Sequence, residues 1–162
     1  MNICGYGLRD HIRLLAPMFG LIAALWLLRW VLDAAGAPHR LVRVLSVTAV
    51  TSLSILVAVG LMHFRRFGSY LNVVVASFML VTWEQLLIIA AILFAVVSGI
   101  ENVYTAPEFS IPGDDRYHVK HIVGHLTFGI GAGTLLGAAT GCLLLWLLRM
   151  LVPARTSQDS AR

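Results

Sequence analysis

Three histidines at the start of the last apolar segment are the first group of side chains with the chemistry of a site. His118, His121 and His125 are spaced by three and four residues, so a helix would place them on one face. The preceding loop offers Glu101 or Glu108 as a carboxylate ligand. Three imidazoles and a carboxylate suit zinc, copper, nickel or iron. The pattern predicts a transition-metal site or, alternatively, interfacial histidines bonded to loop carboxylates and lipid headgroups.

A lone carboxylate inside the third apolar segment is the second candidate. Glu84, followed by Gln85, lies near the middle of residues 69–100. An ionisable side chain at this depth in a bilayer is costly and by default marks a functional site. We expect Glu84 to face the interior and to meet hydroxyls of the second segment. It either fixes the helix register or acts as a proton relay, ion site or acid/base group. The candidate hydroxyls are those of Thr48, Thr51, Ser52 and Ser54.

The depths of these two groups predict separate sites. Along a straight helix, Glu84 lies about 25 Å from Glu101. His125, by contrast, is only a few residues inside the last segment. With a straight third helix, Glu84 and His125 are therefore not expected to act on one ligand.

Glycines recur every four residues in the last segment, at Gly129, Gly133, Gly137 and Gly141. This spacing places them along one ridge of a helix, where the missing side chains allow another backbone to approach closely. We call these four residues the glycine ridge. It predicts helix packing, either within the bundle or against another protein or a second copy of the chain.

Sequence motifs for common enzyme classes are missing. The chain has no H-E-x-x-H, no P-loop, no G-x-S-x-G and no G-x-G-x-x-G. Its two cysteines, Cys4 and Cys142, form no C-x-x-C and predict neither a disulfide framework nor a thiolate metal site. The sequence therefore favours a protein that is not an enzyme.

The amino-acid composition indicates that the candidate residues lie in a membrane protein. Of 162 residues, 59% are hydrophobic and only 12% are charged, about half the charge of a soluble domain. Mean hydropathy is +0.84. This balance excludes a disordered chain, a nucleic-acid-binding domain and almost any soluble enzyme. The net charge of +4 is interpreted as membrane anchoring, with no nucleic-acid partner.

Four apolar segments are long enough to cross a bilayer as helices. They cover residues 14–32, 41–64, 69–100 and 121–152, and leave a loop over 101–120. Helices satisfy their own backbone hydrogen bonds in lipid, whereas the segments lack the alternation of membrane strands. The predicted fold is an all-α, polytopic four-transmembrane-helix bundle, forming one domain over residues 1–162.

Basic residues predict the orientation of the bundle. Four spans place both termini on one side, which carries seven arginines against five basic residues on the other. The positive-inside rule then predicts cytoplasmic termini, an outer loop at 101–120 and a bacterial-type inner membrane. Arg9 and Arg13 before the first segment resemble a signal peptide, but the apolar stretch to Leu32 favours a retained helix.

Three functional interpretations follow from the sequence. The first is a non-enzymatic membrane subunit or scaffold that assembles through the glycine ridge, with lipid, other membrane subunits or itself as partners. The second is a metal- or redox-dependent membrane protein that uses His118, His121 and His125 with Glu101 or Glu108. The third is a small ion or proton carrier built around Glu84.

Overall fold

Four helical spans form the molecule in a computed structural model that describes residues 2–3, 5–105 and 118–152. The spans are long and apolar enough to cross a membrane, and they confirm the predicted all-α, four-helix transmembrane fold. Internal hydrogen bonds satisfy the helix backbone where lipid offers no partner. The spans are Leu8–Ala34, His39–Phe64, Tyr70–Ser98 and Val119–Leu151.

The first helix, α1 (Leu8–Ala34), is longer than the segment predicted at 14–32. It follows a short antiparallel hairpin of β1 (Asn2–Ile3) and β2 (Tyr6–Gly7). The backbone N–H of Gly7 donates to the Asp10 carboxylate at 2.8 Å. This bond fixes the start of the helix before the apolar residues begin.

The second span, predicted over 41–64, covers His39–Phe64 and consists of two helices, α2 (His39–Val44) and α3 (Val47–Phe64). The break lies at Ser46, whose hydroxyl accepts a hydrogen bond from the Ala49 N–H at 3.2 Å. A serine in this position caps a new helix. As a result, α3 begins just before the hydroxyls predicted to meet Glu84.

Helix α4 (Tyr70–Ser98) is the central helix of the bundle and contacts α1, α3 and the last span. Half of its most apolar stretch is buried inside the protein, against 11% for the last span. Side chains on α4 therefore have protein neighbours on several sides, whereas much of the last span faces outward.

The last span is not a regular α-helix. It consists of α5 (Val119–Gly124), a π-helical turn (His125–Gly129) and α6 (Ile130–Leu151). A π-helical turn inserts an extra residue and often occurs at functional sites. Here it begins at His125, and it changes the angular relation between the histidines and the glycine ridge.

The connection after α4 folds back onto the bundle over its first residues. Asn102 donates from its side-chain amide to the carbonyl of Ala91 at 2.9 Å, and Tyr104 donates from its hydroxyl to the carbonyl of Trp26 at 3.1 Å. Both side chains are buried, and burial raises the pKa of the Tyr104 phenol. The start of the predicted loop 101–120 is therefore packed, while residues 106–117 lie outside the described chain. We call this end of the molecule the loop end.

At the opposite end of the bundle, the backbone of Gly68 lies very close to the side chain of Asn72. Gly68 has φ of +78°, and a Cβ atom there would overlap the side chain of Asn72. Asn72 is fully buried, and its side-chain oxygen lies 3.2 Å from His11 Nε2. The chain thus needs a residue without a side chain between α3 and α4.

We expect Gly68→Ala to lower the free energy of unfolding by about 3 kcal/mol, from a strained φ and a disrupted buried hydrogen bond. Gly36→Ala is the matched control, because Gly36 has φ of +72° and open space around its Cβ position. Denaturant titration in detergent measures both losses. Equal losses would show that the contact with Asn72 has no role.

Candidate functional site

The carboxyl group of Glu84 is enclosed by the bundle, as predicted, with only 2% of the residue exposed. The hydroxyl of Thr48 donates to Glu84 Oε1 at 2.6 Å. The expectation that a hydroxyl of the second span meets this carboxyl is therefore confirmed for Thr48. The bond joins the first turn of α3 to the middle of α4 and holds the carboxyl at a defined position.

Gln85, the next residue on α4, contacts the last span. His125 Nδ1 donates to the side-chain oxygen Oε1 of Gln85 at 2.5 Å, which leaves Nε2 as the other ring nitrogen of the imidazole. His125 is the first residue of the π-helical turn. Three helical spans thus contribute to one group, which we call the polar cluster: Thr48, Glu84, Gln85 and His125.

The polar cluster lies at one end of a cleft of about 780 Å³ between α3, α4 and the last span. The rim includes Leu56 on α3 and Phe128 and Leu136 on the last span, all exposed on the side of the bundle. Since these residues lie within membrane-spanning segments, the cleft opens toward lipid. Away from the polar cluster the lining is mostly apolar, with Ile55, Val81, Ala132 and Gly133, and it also includes the hydroxyl side chains of Thr51, Ser52 and Thr140.

Three glycines of the ridge, Gly129, Gly133 and Gly137, line this cleft where the last span packs against α4 and α3. Each ridge glycine is one α4 turn further from the loop end than the one before, as expected for antiparallel helices. A Cβ atom at Gly133 would lie 2.8 Å from Val81 Cγ1, and one at Gly137 would lie 2.7 Å from Ile55 Cδ1. The ridge glycines meet α4 as follows: Gly129 with Gln85, Gly133 with Val81, Gly137 with Ser77 and Gly141 with Val73.

A second pocket, of about 430 Å³, lies toward the loop end, and we call it the loop-end pocket. It shares Thr48, His121 and His125 with the cleft. Two arginines contribute to it, Arg29 and Arg43. The guanidinium of Arg29 lies 5.0 Å from the ring centre of Tyr104. The loop-end pocket, which contains the two arginines, and the cleft, which contains the polar cluster, thus share two histidines in their lining.

The rings of the three histidines follow one another, with the ring centres of His118 and His121 6.2 Å apart, although His118 lies outside the helix. His118 precedes α5 with φ of +51°, outside the helix, and its Nε2 lies 3.7 Å from Glu101 Oε1. His121 and His125 follow it, with ring centres 4.9 Å apart. The spacing argument assumed one continuous helix, and His118 is not part of it.

A metal site gains no geometric support from the described residues. Within residues 5–105 and 118–152, no group of three or more His, Cys, Asp or Glu side chains could hold a metal ion. His118 and Glu101 approach each other, whereas His125 is turned to Gln85. Glu108, the other predicted ligand, lies outside these residues.

The prediction that Glu84 and His125 do not act on one ligand stays a prediction, but the structure brings both residues to the same cleft. His121 lines this cleft as well. The third and last segments do not begin and end at equal depth, because the contacts of the ridge glycines with α4 set their relative position. Gly129 packs on Gln85, and His125 lies about one helical turn before Gly129. The backbones of His125 and Gln85 are therefore offset by roughly 5.4 Å along the axis. The side chains of Gln85 and His125 are long enough to meet across this offset.

Sequence reasoning did not identify the loop-end pocket. Arg29, Arg43 and Tyr104 are far apart in the chain and follow no common spacing. They meet because α2 is a separate helix and because residues 101–105 fold back. The only signal in the sequence is Arg29 itself, a charged residue inside the apolar segment 14–32.

Comparisons of the chain with protein-family models, with curated proteins and with solved structures give no match in any of the three searches. The fold is that of a four-helix, multi-pass membrane protein, and the function has to be argued from the cleft.

Proposed function

We propose that the protein is a membrane-embedded binding protein for a lipid-soluble amphiphile. The polar head of the ligand is bound by the polar cluster, and its hydrocarbon chain lies against the apolar residues of the cleft, such as Ile55, Val81 and Ala132. The observation that carries the proposal is the cleft of about 780 Å³, which has hydrogen-bonding groups at one end and mostly apolar walls at the other. Ligand sites are typically concave and mostly apolar, with a few convergent polar groups.

The opening of the cleft supports a ligand that arrives from the membrane. Leu56, Phe128 and Leu136 are exposed at its rim, at positions that face lipid rather than water. A hydrocarbon chain can enter sideways without leaving an apolar environment. The apolar side chains that line the cleft beyond the polar cluster, such as Ile55, Val81 and Ala132, suit a chain of methylene or isoprenoid units.

The geometry supports a scaffold function less directly. The ridge glycines are turned toward Val73, Val81 and Ile55 of the same chain, so a partner helix does not have access to their close-packed side. A partner on the outward face of α6 is a separate hypothesis, for which the glycine ridge is not an argument.

We expect the protein purified from membranes in mild detergent to retain a bound amphiphile, and Ala132→Phe to reduce its occupancy about tenfold. Ala132 lines the apolar end of the cleft, so a phenyl ring there fills the space of the chain. A steric clash of this kind costs about 1–3 kcal/mol. Native mass spectrometry and solvent extraction measure the bound ligand per protein.

Ala139→Phe is the matched control, because Ala139 lies on the same helix, is exposed and does not line the cleft. Occupancy should stay at the wild-type level in this variant. If Ala132→Phe and Ala139→Phe retain equal amounts of ligand, or if the wild-type protein carries none, the cleft is not the binding site.

We propose proton transfer through Glu84 as a second candidate function. The specific observation in its favour is the link from the loop-end pocket through His121 and His125 to the cleft. Toward the other end of the bundle, Ser54 and Ser77 carry buried hydroxyls that have no hydrogen-bond partner in the described part of the chain. Side chains able to pass a proton thus occur on both sides of the carboxyl group.

For this second candidate, we expect proton flux into liposomes to fall at least about tenfold in Glu84→Gln, which keeps the side-chain shape but cannot carry a proton. A pH-sensitive dye inside the liposomes measures the flux under an imposed potential. Glu101→Gln serves as the control, because that carboxylate is 73% exposed. Equal flux through Glu84→Gln and wild type would exclude Glu84 as the carrier.

A further inference from the structure

We infer that the ligand of the cleft is an isoprenoid quinone, with its ring at the polar cluster and its chain along the apolar lining of the cleft. This inference rests on the proposed amphiphile-binding function and assigns the chemical class of the ligand. Four features of the cleft lead to this assignment: the depth of the polar cluster, its hydrogen-bonding atoms, its titratable groups and the shape of the walls beside it.

The depth of the polar cluster requires an uncharged head. Glu84 is the central residue of α4, with fourteen helical residues on each side of it, Tyr70–Trp83 and Gln85–Ser98. Charged groups are costly at the middle of a bilayer, so the phosphate of a phospholipid stays at the interface. No Arg or Lys lines the cleft among the described residues, although Arg29 and Arg43 line the loop-end pocket. The cleft therefore favours a neutral headgroup.

The hydrogen-bonding atoms of the polar cluster fit an oxygen that accepts in one state and donates in another. Internal bonds engage Glu84 Oε1, the amide oxygen of Gln85 and Nδ1 of His125. The other polar atoms are the second carboxyl oxygen, the amide nitrogen of Gln85 and Nε2 of His125. An amide N–H donates to a quinone carbonyl, whereas a carboxylate or an imidazole nitrogen accepts from a quinol hydroxyl.

The presence of two titratable side chains distinguishes a quinone from other neutral amphiphiles. Diacylglycerols and sterols need only hydroxyl or amide partners, which Thr48 and Gln85 already provide. A buried carboxyl group is costly, and its presence in the same cleft as an imidazole suits a head whose oxygens gain and lose protons. Quinone and quinol form the lipid-soluble pair with that chemistry.

The walls next to the polar cluster suit a flat ring. Gly124 lines the cleft next to His125 and has open space around its Cβ position, so a ring can approach the helix backbone closely there. Phe128 stands at the rim with 78% of its surface exposed, available for offset stacking against an entering ring.

The experiment is a thermal-unfolding titration of the full-length, delipidated protein in detergent, with decylubiquinone as the probe. We expect a saturable rise in Tm, since a ligand that binds only the folded state stabilises it. Gln85→Leu and His125→Leu, on opposite walls of the polar cluster, should each weaken the apparent affinity about tenfold through the loss of a buried hydrogen bond. Gly131→Leu, with open space around its Cβ position, should leave it unchanged.

Dioleoylglycerol and oleic acid serve as the comparison probes, and each outcome decides a separate point. A saturable Tm rise with either of them, and none with decylubiquinone, would overturn the quinone assignment and leave the amphiphile-binding function intact. No saturable rise with any of the three would overturn both. Equal quinone affinity in wild type, Gln85→Leu and His125→Leu would show that the ring does not bind at the polar cluster. If one of these two variants fails to fold, the other still provides the test.

Discussion

Replacing Gly133 by leucine is expected to lower the free energy of unfolding by about 3 kcal/mol, from overpacking between the last span and α4. A Cβ atom at this position already lies 2.8 Å from Val81 Cγ1, and the rest of the leucine side chain extends further into α4. Val81 is buried, and its side chain already contacts the last span at this point. The two helices must therefore separate, which removes van der Waals contacts that lipid does not replace.

Unfolding by denaturant titration in detergent measures this effect, with Gly131→Leu as the matched control. Gly131 lies two residues away on the same helix and has no neighbour within 4 Å of a Cβ atom. We expect its change in stability to stay within about 0.5 kcal/mol, as for other exposed positions. Wild-type stability in Gly133→Leu would mean that the glycine contacts do not hold the bundle together.

The four spans and the interior position of Glu84 could be predicted from the sequence. Apolar segments of sufficient length predicted the four spans, because the bilayer fixes the length of a helix that crosses it. The interior position of Glu84 followed from the same constraint, since a carboxyl group in lipid must find a protein partner. These predictions depend on the solvent rather than on details of packing.

The relative depth of the helices could not be predicted. It is set by contacts such as Gly129 with Gln85, which involve residues distant in the sequence. The π-helical turn that begins at His125 and the helix break at Ser46 are local departures from regular geometry that hydropathy does not report. Both affect the site, because one orients His125 and the other places Thr48 opposite Glu84. A shift of one or two turns in depth is enough to separate residues that line a single cleft.

Glu84→Leu is expected to lower the amount of bound amphiphile at least about tenfold, because it removes a hydrogen-bonding group from the head of the cleft. The same change should leave the free energy of unfolding within about 1 kcal/mol of wild type. Leucine loses the bond from Thr48, but it also removes the cost of keeping a carboxyl group away from water. Native mass spectrometry measures the ligand, and denaturant titration measures stability on the same samples.

This pair of measurements separates a binding role of Glu84 from a purely structural one. If the carboxyl group serves only to align α3 with α4 through Thr48, Glu84→Leu should lose stability without a change in ligand occupancy, and Glu84→Gln should restore it by keeping the hydrogen bond. If the carboxyl group binds the ligand, occupancy falls while the fold persists. A buried acid is costly to keep in a membrane, and a carboxyl group retained for alignment alone would do nothing that a glutamine could not do. A stable Glu84→Leu protein with an empty cleft would therefore establish that the carboxyl group is present for the ligand.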